Sequence, residues 1–153
     1  MGSILVVDDD PLCSAMTRQD LLRQGHHPCV VNSAAAALVA LGSGSWFDVV
    51  LTDLMMPDMD GIELILAVRR LYPSLPIVAL SSGGERRFLN ILGMAHRLGA
   101  DRVLQKPVSA TEIDAAIRGL LDHRPGREII NDGAAKAEGL VDSSGAEPSA
   151  PGI

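Results

Sequence analysis

Long apolar runs are missing from this chain of 153 residues, and with them any stretch of the about 18 residues that a membrane-crossing helix requires. The run from Ile4 to Val7 is cut off by Asp8, Asp9 and Asp10 before it can serve as a signal-peptide core. The chain is therefore expected in the cytoplasm and off the membrane. Cysteine is scarce as well. Cys13 and Cys29 stand in neither CxxC nor metal-ligand spacing, which excludes a disulfide framework or zinc site and leaves two buried, reduced thiols as the expectation. Basic charge is short: 13 Lys and Arg face 19 Asp and Glu, for a formal charge of −6 and a pI near 5.0. No basic stripe offsets that deficit, so direct contact with nucleic acid is not expected. There is no internal repeat, and no second periodic segment that could form a DNA-binding helix-turn-helix or a catalytic output domain.

Hydrophobic residues make up 47% of the chain and charged residues 21%, enough to bury the core of one domain. Short apolar runs rich in branched residues alternate with longer segments of helical period, the pattern of βα units feeding a parallel sheet. The strand candidates are Ile4 to Val7, Cys29 to Val31, Val49 to Thr52, Ile77 to Leu80 and Arg102 to Leu104. Between and after them lie five helix candidates. Leu12 to Gln24 opens behind Pro11 and closes at Gly25. Ser33 can cap Ala34 to Leu41, where Ala34, Ala37, Leu38 and Leu41 share a face. Asp60 and Glu63 have capping-box spacing ahead of a helix from Gly61 to about Leu71, stopped by Pro73. Arg86 to Leu98 carries Phe88, Ile91, Leu92, Ala95 and Leu98 on one stripe and ends at Gly99. Ser109 and Glu112 form a second capping box, followed by Ile113, Ala116, Ile117, Leu120 and Leu121 on one face. Beyond Asp122 the composition turns to Gly, Ala, Pro and Ser, so 1–122 is read as the domain and 123–153 as a flexible tail or linker.

Ligands of a doubly wound parallel sheet sit beyond the carboxyl ends of its strands, where the strand order reverses. That rule selects residues directly. The first strand runs into Asp8, Asp9 and Asp10, the third into Asp53, the fourth into Ser81 and Ser82, and the fifth into Lys106 and Pro107. Carboxylates crowded on one rim repel each other, and a hard divalent cation with oxygen ligands, Mg²⁺, relieves the repulsion. A cation beside a carboxylate, a hydroxyl and an ammonium suits a phosphoryl group, whose transfer needs charge neutralisation and in-line positioning. The bland alternative makes the acids a helix cap and a turn residue. It does not account for Lys106, the only lysine among the first 122 residues.

Four stretches in order carry a family likeness: Ile4-Leu-Val-Val-Asp-Asp-Asp, Asp53-Leu-Met-Met-Pro-Asp-Met-Asp-Gly61, Ile77-Val-Ala-Leu-Ser-Ser82 and Gly99-Ala-Asp-Arg-Val-Leu-Gln-Lys-Pro107. From about Ser3 to Asp122 the chain resembles the receiver domain of two-component response regulators. The resemblance implies a flavodoxin-like (βα)5 fold with strand order 2-1-3-4-5. It also implies roles. Asp53 would accept a phosphoryl group from the phosphohistidine of a histidine kinase or histidine phosphotransfer protein. Asp9, Asp53 and the Met55 carbonyl would bind Mg²⁺, with Asp8 holding it through water. Lys106 would pair with the phosphoryl oxygens, and Ser81 would hydrogen-bond them and report phosphorylation. Pro57 and Gly61 would shape the loop after Asp53, and Pro107 would follow a cis peptide bond. No catalysis beyond self-phosphorylation and autodephosphorylation is implied, and the output would be a protein target or a phosphorylation-dependent homodimer.

The chain departs from the family pattern in three places. Val103 stands where many receivers carry a Tyr or Phe that moves with the hydroxyl residue. The segment from Ser81 to Lys106 is longer by about three residues, close to one helical turn. Met55 and Gly83 replace polar side chains often found beside the phosphorylation site.

The sequence also fits two other readings. The tail resembles an interdomain linker, so the chain also fits a receiver fragment of a longer regulator. A haloacid dehalogenase-like phosphohydrolase resembles the layout through Asp8-x-Asp10. It needs a further acidic pair after the lysine, however, and Glu112, Asp114 and Asp122 all fall within the last helical segment. Among lesser candidates, His26 and His27 are placed in the turn after the first helix with no carboxylate near, so metal binding there is not expected. Gly83 and Gly84 lack the Lys-Ser or Lys-Thr of a phosphate loop. Trp46 and Phe47 are expected to pack the loop before the third strand.

Overall fold

Strands that are apolar at every position can be stable only where both faces of the sheet are covered. The computed structural model, which describes residues 1–56, 61–82 and 84–123 apart from the side chains at 85, 87 and 88, shows this arrangement. Its elements in chain order are β1 (Ser3–Val7), α1 (Pro11–Arg23), β2 (His27–Val31), α2 (Ala34–Gly42), β3 (Val49–Asp53), α3 (Gly61–Leu71), β4 (Ile77–Ser81), α4 (Gly84–Leu98), β5 (Arg102–Gln105) and α5 (Ala110–Asp122). The five strands are parallel and ordered β2-β1-β3-β4-β5, the flavodoxin-like layout.

Alternate side chains along each strand feed two cores. Leu5, Val7, Val50, Ile77 and Val103 point to one face, where they meet Ala34, Ala37 and Leu41 of α2, Leu64, Ile65 and Val68 of α3, and Ala95 of α4. Ile4, Val6, Val49, Leu51, Val78 and Leu80 point to the other, against Leu21 of α1 and Ile113, Ile117 and Leu120 of α5. Each of these large side chains contributes about 1.5–3 kcal/mol by leaving water. β3 and β4 are buried at every residue, whereas the edge strand β2 has residues that are either exposed or half-buried.

Local chemistry sets the helix ends. Asp10 caps α1 by accepting from the backbone N–H of Leu12 and of Cys13, with Pro11 in the first turn. Gly25 follows that helix at φ +87°, which glycine tolerates. Ser33 accepts from Ala36 N at 3.0 Å, and Ser109 from Glu112 N at 3.1 Å. The box expected from Asp60 to Glu63, like Pro57, Gly83 and all of the tail except His123, lies outside the described residues.

Several expectations need correction. β2 starts at His27 rather than Cys29, and Pro28 is accommodated because the outer edge of that strand requires no N–H partner. Cys29 is exposed there and Cys13 half-buried, so neither is the buried thiol expected, although both are free. Phe47 packs as anticipated, but Trp46 stays 39% exposed and turns its indole N–H to Asp48 Oδ1 at 3.1 Å. α4 begins at Gly84, two residues earlier than the periodicity marks, and at 15 residues is the longest described helix.

Candidate functional site

Strand register brings the site together. Val7 of β1 lies beside Thr52 of β3, so Asp8 and Asp9 emerge next to Asp53 at the reversal of strand order. Asp53 is paired with Leu80 of β4, and Ser81 with Gln105 of β5, so the hydroxyl and Lys106 leave the sheet side by side. The Lys106 backbone N–H donates to the Ser81 carbonyl at 2.7 Å, and the Lys106–Pro107 peptide bond is cis.

One carboxylate oxygen each from Asp8, Asp9 and Asp53 lies within 4.8 Å of the others, and Asp8 and Asp53 are buried. Asp53 is held at both oxygens. Its Oδ2 accepts from Lys106 Nζ at 2.8 Å, and its Oδ1 from the Met55 backbone N–H at 3.1 Å. Asp8 Oδ1 accepts from the Asp10 N–H at 2.9 Å. Burial pushes the Asp8 carboxyl above its usual range against the pull of that bond and of Lys106, and the nearby Asp53 and Asp10 charges add to the rise. Burial alone would lower Lys106, but its hydrogen bond and ion pair with Asp53, with the Asp8 charge behind, raise it above the ordinary lysine value.

Asp10 does not join this cluster. Its carboxylate is spent on the first turn of α1, and hydrogen bonds from Cys13 and from the Leu12 N–H hold it below the usual carboxylate range. The Asp-x-Asp pair of the phosphohydrolase reading is thereby divided between the acidic cluster and a helix cap.

Ser81 is fully buried, and among the described residues its Oγ has no hydrogen-bond partner. A buried hydroxyl without a partner costs about 1–3 kcal/mol, a deficit that an oxygen-rich ligand at the rim would remove. Three carboxylates facing one ammonium are likewise an unbalanced set of hard oxygen donors. Together they suit a divalent cation and a phosphoryl group.

Gly61 closes the site from behind. A Cβ there would lie 2.4 Å from the Asp53 carbonyl oxygen and 2.5 Å from Leu54 Cα, so only glycine lets the start of α3 rest on the β3 exit. Met55 is 45% exposed beside Asp53, and Val103 is buried beneath α4.

Two polar arrangements have no signal in the sequence. His26, expected in a turn without a carboxylate near, is buried with Nε2 2.7 Å from Asp114 Oδ1, while Nδ1 accepts from the Gly2 N–H at 3.1 Å. Arg69 of α3 reaches the turn between α4 and β5. Each joins residues far apart in the chain.

Comparison with known proteins agrees with this geometry. Residues 4–118 match the family model of the response regulator receiver domain. The two-component response regulator ORR23 of Oryza sativa subsp. indica is 40% identical over 111 residues, which cover 72% of this chain and 16% of that protein. The response regulator protein FleR of Pseudomonas aeruginosa is 35% identical over 128 residues, 83% of this chain and 26% of that one. The chain thus spans well under half the length of either relative. A response regulator receiver domain protein from Clostridium thermocellum, of known crystal structure, superposes with a TM-score of 0.73 at 25% identity, covering 80% of this chain and 95% of that one.

Proposed function

The chain belongs to the response regulator receiver domain family, and from that premise we propose that it is a phosphorylation switch whose acceptor is Asp53. An Asp53 carboxylate oxygen attacks the phosphorus of a phosphohistidine on a histidine kinase or histidine phosphotransfer protein. The P–N bond breaks, its electron pair returns to the imidazole, and an aspartyl phosphate is left. Lys106 keeps its ammonium beside the oxygens on which charge gathers, and the Ser81 hydroxyl gains an acceptor. Asp9 and Asp53, with the Met55 backbone carbonyl, would hold Mg²⁺, with Asp8 holding it through water, and the ion would supply positive charge against that of the incoming phosphoryl group. Gly61 and Pro107 shape the chain around Asp53 and Lys106.

The reading rests on one observation above the others: the Lys106–Asp53 ion pair at 2.8 Å inside a cluster of three carboxylates. Isolated ion pairs are common, but three carboxylates crowded at one site with a single ammonium to offset them are costly unless the assembly serves a ligand. The switch acts on a protein target, or through a homodimer of the phosphorylated form. Among the described residues no helix is long and apolar enough to cross a membrane. The test is incubation with acetyl phosphate and Mg²⁺, followed by intact mass measurement. One phosphoryl group should be added, and Asp53→Asn should remain unmodified. Stoichiometric labelling of that variant would overturn the assignment.

A further inference from the structure

Of the four residues that precede Asp53 in β3, only Thr52 is polar. It is fully buried, level with Val7 of β1 and Ala79 of β4 on the face of the sheet covered by α2, α3 and α4. Valine has the same shape and suits a strand equally well, so packing alone gives no reason for a polar atom in that core. The hydroxyl has a use. Thr52 Oγ1 donates to the carbonyl oxygen of Asp53 at 3.0 Å.

That bond completes the backbone beyond the carboxylate. In the same peptide unit the Leu54 N–H donates to the Leu80 carbonyl of β4 at 3.0 Å. In the next unit the Leu54 carbonyl accepts from the Gly61 N–H at 3.1 Å, and the Met55 N–H donates to Asp53 Oδ1 at 3.1 Å. All four polar groups of the two peptide units that follow Asp53 therefore have partners, as buried backbone requires. Three of those partners are strand backbone, helix backbone and Asp53 itself. The fourth, on the Asp53 carbonyl, is a side chain that packing does not demand. Gly61 rests against the same carbonyl, where a Cβ would come within 2.4 Å, so contact with α3 and the Thr52 hydroxyl together fix its direction.

We propose that Thr52 is a positioning residue for the Mg²⁺ site: by holding the Asp53 carbonyl it fixes the two peptide units that lead into Met55, and with them the N–H that holds Asp53 Oδ1 and the carbonyl assigned to the ion. The inference rests on the reading of Asp9, Asp53 and the Met55 carbonyl as Mg²⁺ donors. A peptide unit moves only through the single bonds on either side of it. Releasing the Asp53 carbonyl frees that motion, which carries the Met55 N–H off Asp53 Oδ1 and displaces Met55 as a whole. Thr52 is no ligand itself, so losing its hydroxyl removes preorganisation rather than a donor. The loss therefore falls on Mg²⁺ affinity, and at saturating Mg²⁺ the arrangement at Asp53 is restored.

Two variants of the full chain separate the hydroxyl from the volume it occupies. Thr52→Val keeps the shape, and Thr52→Ser keeps the hydroxyl. In a Mg²⁺ titration of the unphosphorylated protein followed by amide resonances, Thr52→Val should bind about five- to tenfold more weakly than wild type, the loss expected for one hydrogen bond, and Thr52→Ser should stay within about twofold. The rate of mass gain from acetyl phosphate in Thr52→Val should fall by the same factor at Mg²⁺ concentrations below the wild-type dissociation constant, and return to within about twofold of wild type at saturation. A defect of folding alone lowers the rate equally at every Mg²⁺ concentration. Such a uniform fall, a valine variant within about twofold of wild type in the titration, or a serine variant as weak as the valine one would each overturn the role of Thr52. Absence of mass gain in the wild type would count against the phosphoacceptor and leave the titration to decide on Thr52. Absence of any Mg²⁺-dependent shift in the wild type would remove the metal donors and this proposal with them.

Discussion

Replacing Gly61 by alanine tests how closely the fold is fitted around Asp53. The backbone at Gly61 does not have a positive φ, so alanine meets no conformational barrier there and the outcome depends on space alone. An added methyl would sit 2.4 Å from the Asp53 carbonyl oxygen, 2.5 Å from Leu54 Cα and 3.1 Å from the Asp53 carbonyl carbon. Ordinary contacts are about 3.5–4 Å, so the start of α3 must retreat by about 1 Å from the β3 exit. All three neighbours are backbone and cannot rotate aside, which puts the cost at the upper end of overpacking, about 3 kcal/mol. Alanine returns at most about 1 kcal/mol through its higher helix propensity. The net loss of about 2 kcal/mol corresponds to a fall in thermal midpoint of roughly 6–10 °C for a unit of this size. Function should suffer more than stability. A displacement of 1 Å at a reacting group can slow a reaction by about 10²-fold, so phosphoryl uptake from acetyl phosphate should fall by one to two orders of magnitude even at temperatures where the variant is folded. Thermal denaturation by circular dichroism and the rate of mass gain give the two readings. A midpoint within about 2 °C of wild type together with uptake within about twofold would refute the idea that Gly61 is required for close approach.

Other expectations follow from the same geometry. Asp9→Ala should weaken Mg²⁺ binding severely by removing one of the three clustered carboxylates, whereas Asp10→Ala should leave a Mg²⁺ titration unchanged and only lower the melting point through loss of the α1 cap. Burial favours the neutral form of Asp114, but bonds from Arg118 and His26 outweigh it and hold the carboxyl below its ordinary value of 3.8. A depressed folded-state pKa gives stability that is fully present above the unfolded value and lost as pH falls through the folded one, so the stability gap between wild type and Asp114→Asn should be constant above about pH 5 and shrink below about pH 3.8 in denaturant titrations. Met55 offers only a weakly accepting thioether to orient a hydrolytic water, so Met55→Asn should shorten the lifetime of the phosphorylated form, and an unchanged decay rate would show that water is positioned by other groups.

The fold was legible because each of its elements is signalled by residues adjacent in sequence. Asp10 with Pro11, Ser33 ahead of its run of alanines, and Ser109 three residues before Glu112 are local chemistry, and each caps the helix expected of it. Continuous apolar runs mark the central strands because a doubly covered sheet leaves no polar side to alternate with. β2 is less legible for the same reason. It is an edge strand, so His27 and Pro28 can belong to it without the apolar signature, and Cys29 can be exposed.

The acidic rim was legible through topology rather than proximity in the chain. Once strand ends are known to share one edge, Asp8, Asp53, Ser81 and Lys106 fall beside each other although 98 positions separate the first from the last. Contacts without such a rule stayed hidden. His26 meets Asp114 across 88 positions because α1 and α5 pack on the same face of the sheet, and nothing at either residue announces the other. Arg69 ends α3 as one of two consecutive arginines, Arg69 and Arg70. Which of them turns inward is decided by the Gly99 carbonyl, 30 positions away, and by a glycine that leaves room for the guanidinium. Strand-end chemistry is thus written into the order of the elements, whereas clamps between helices depend on side-chain reach that only the packed structure reveals.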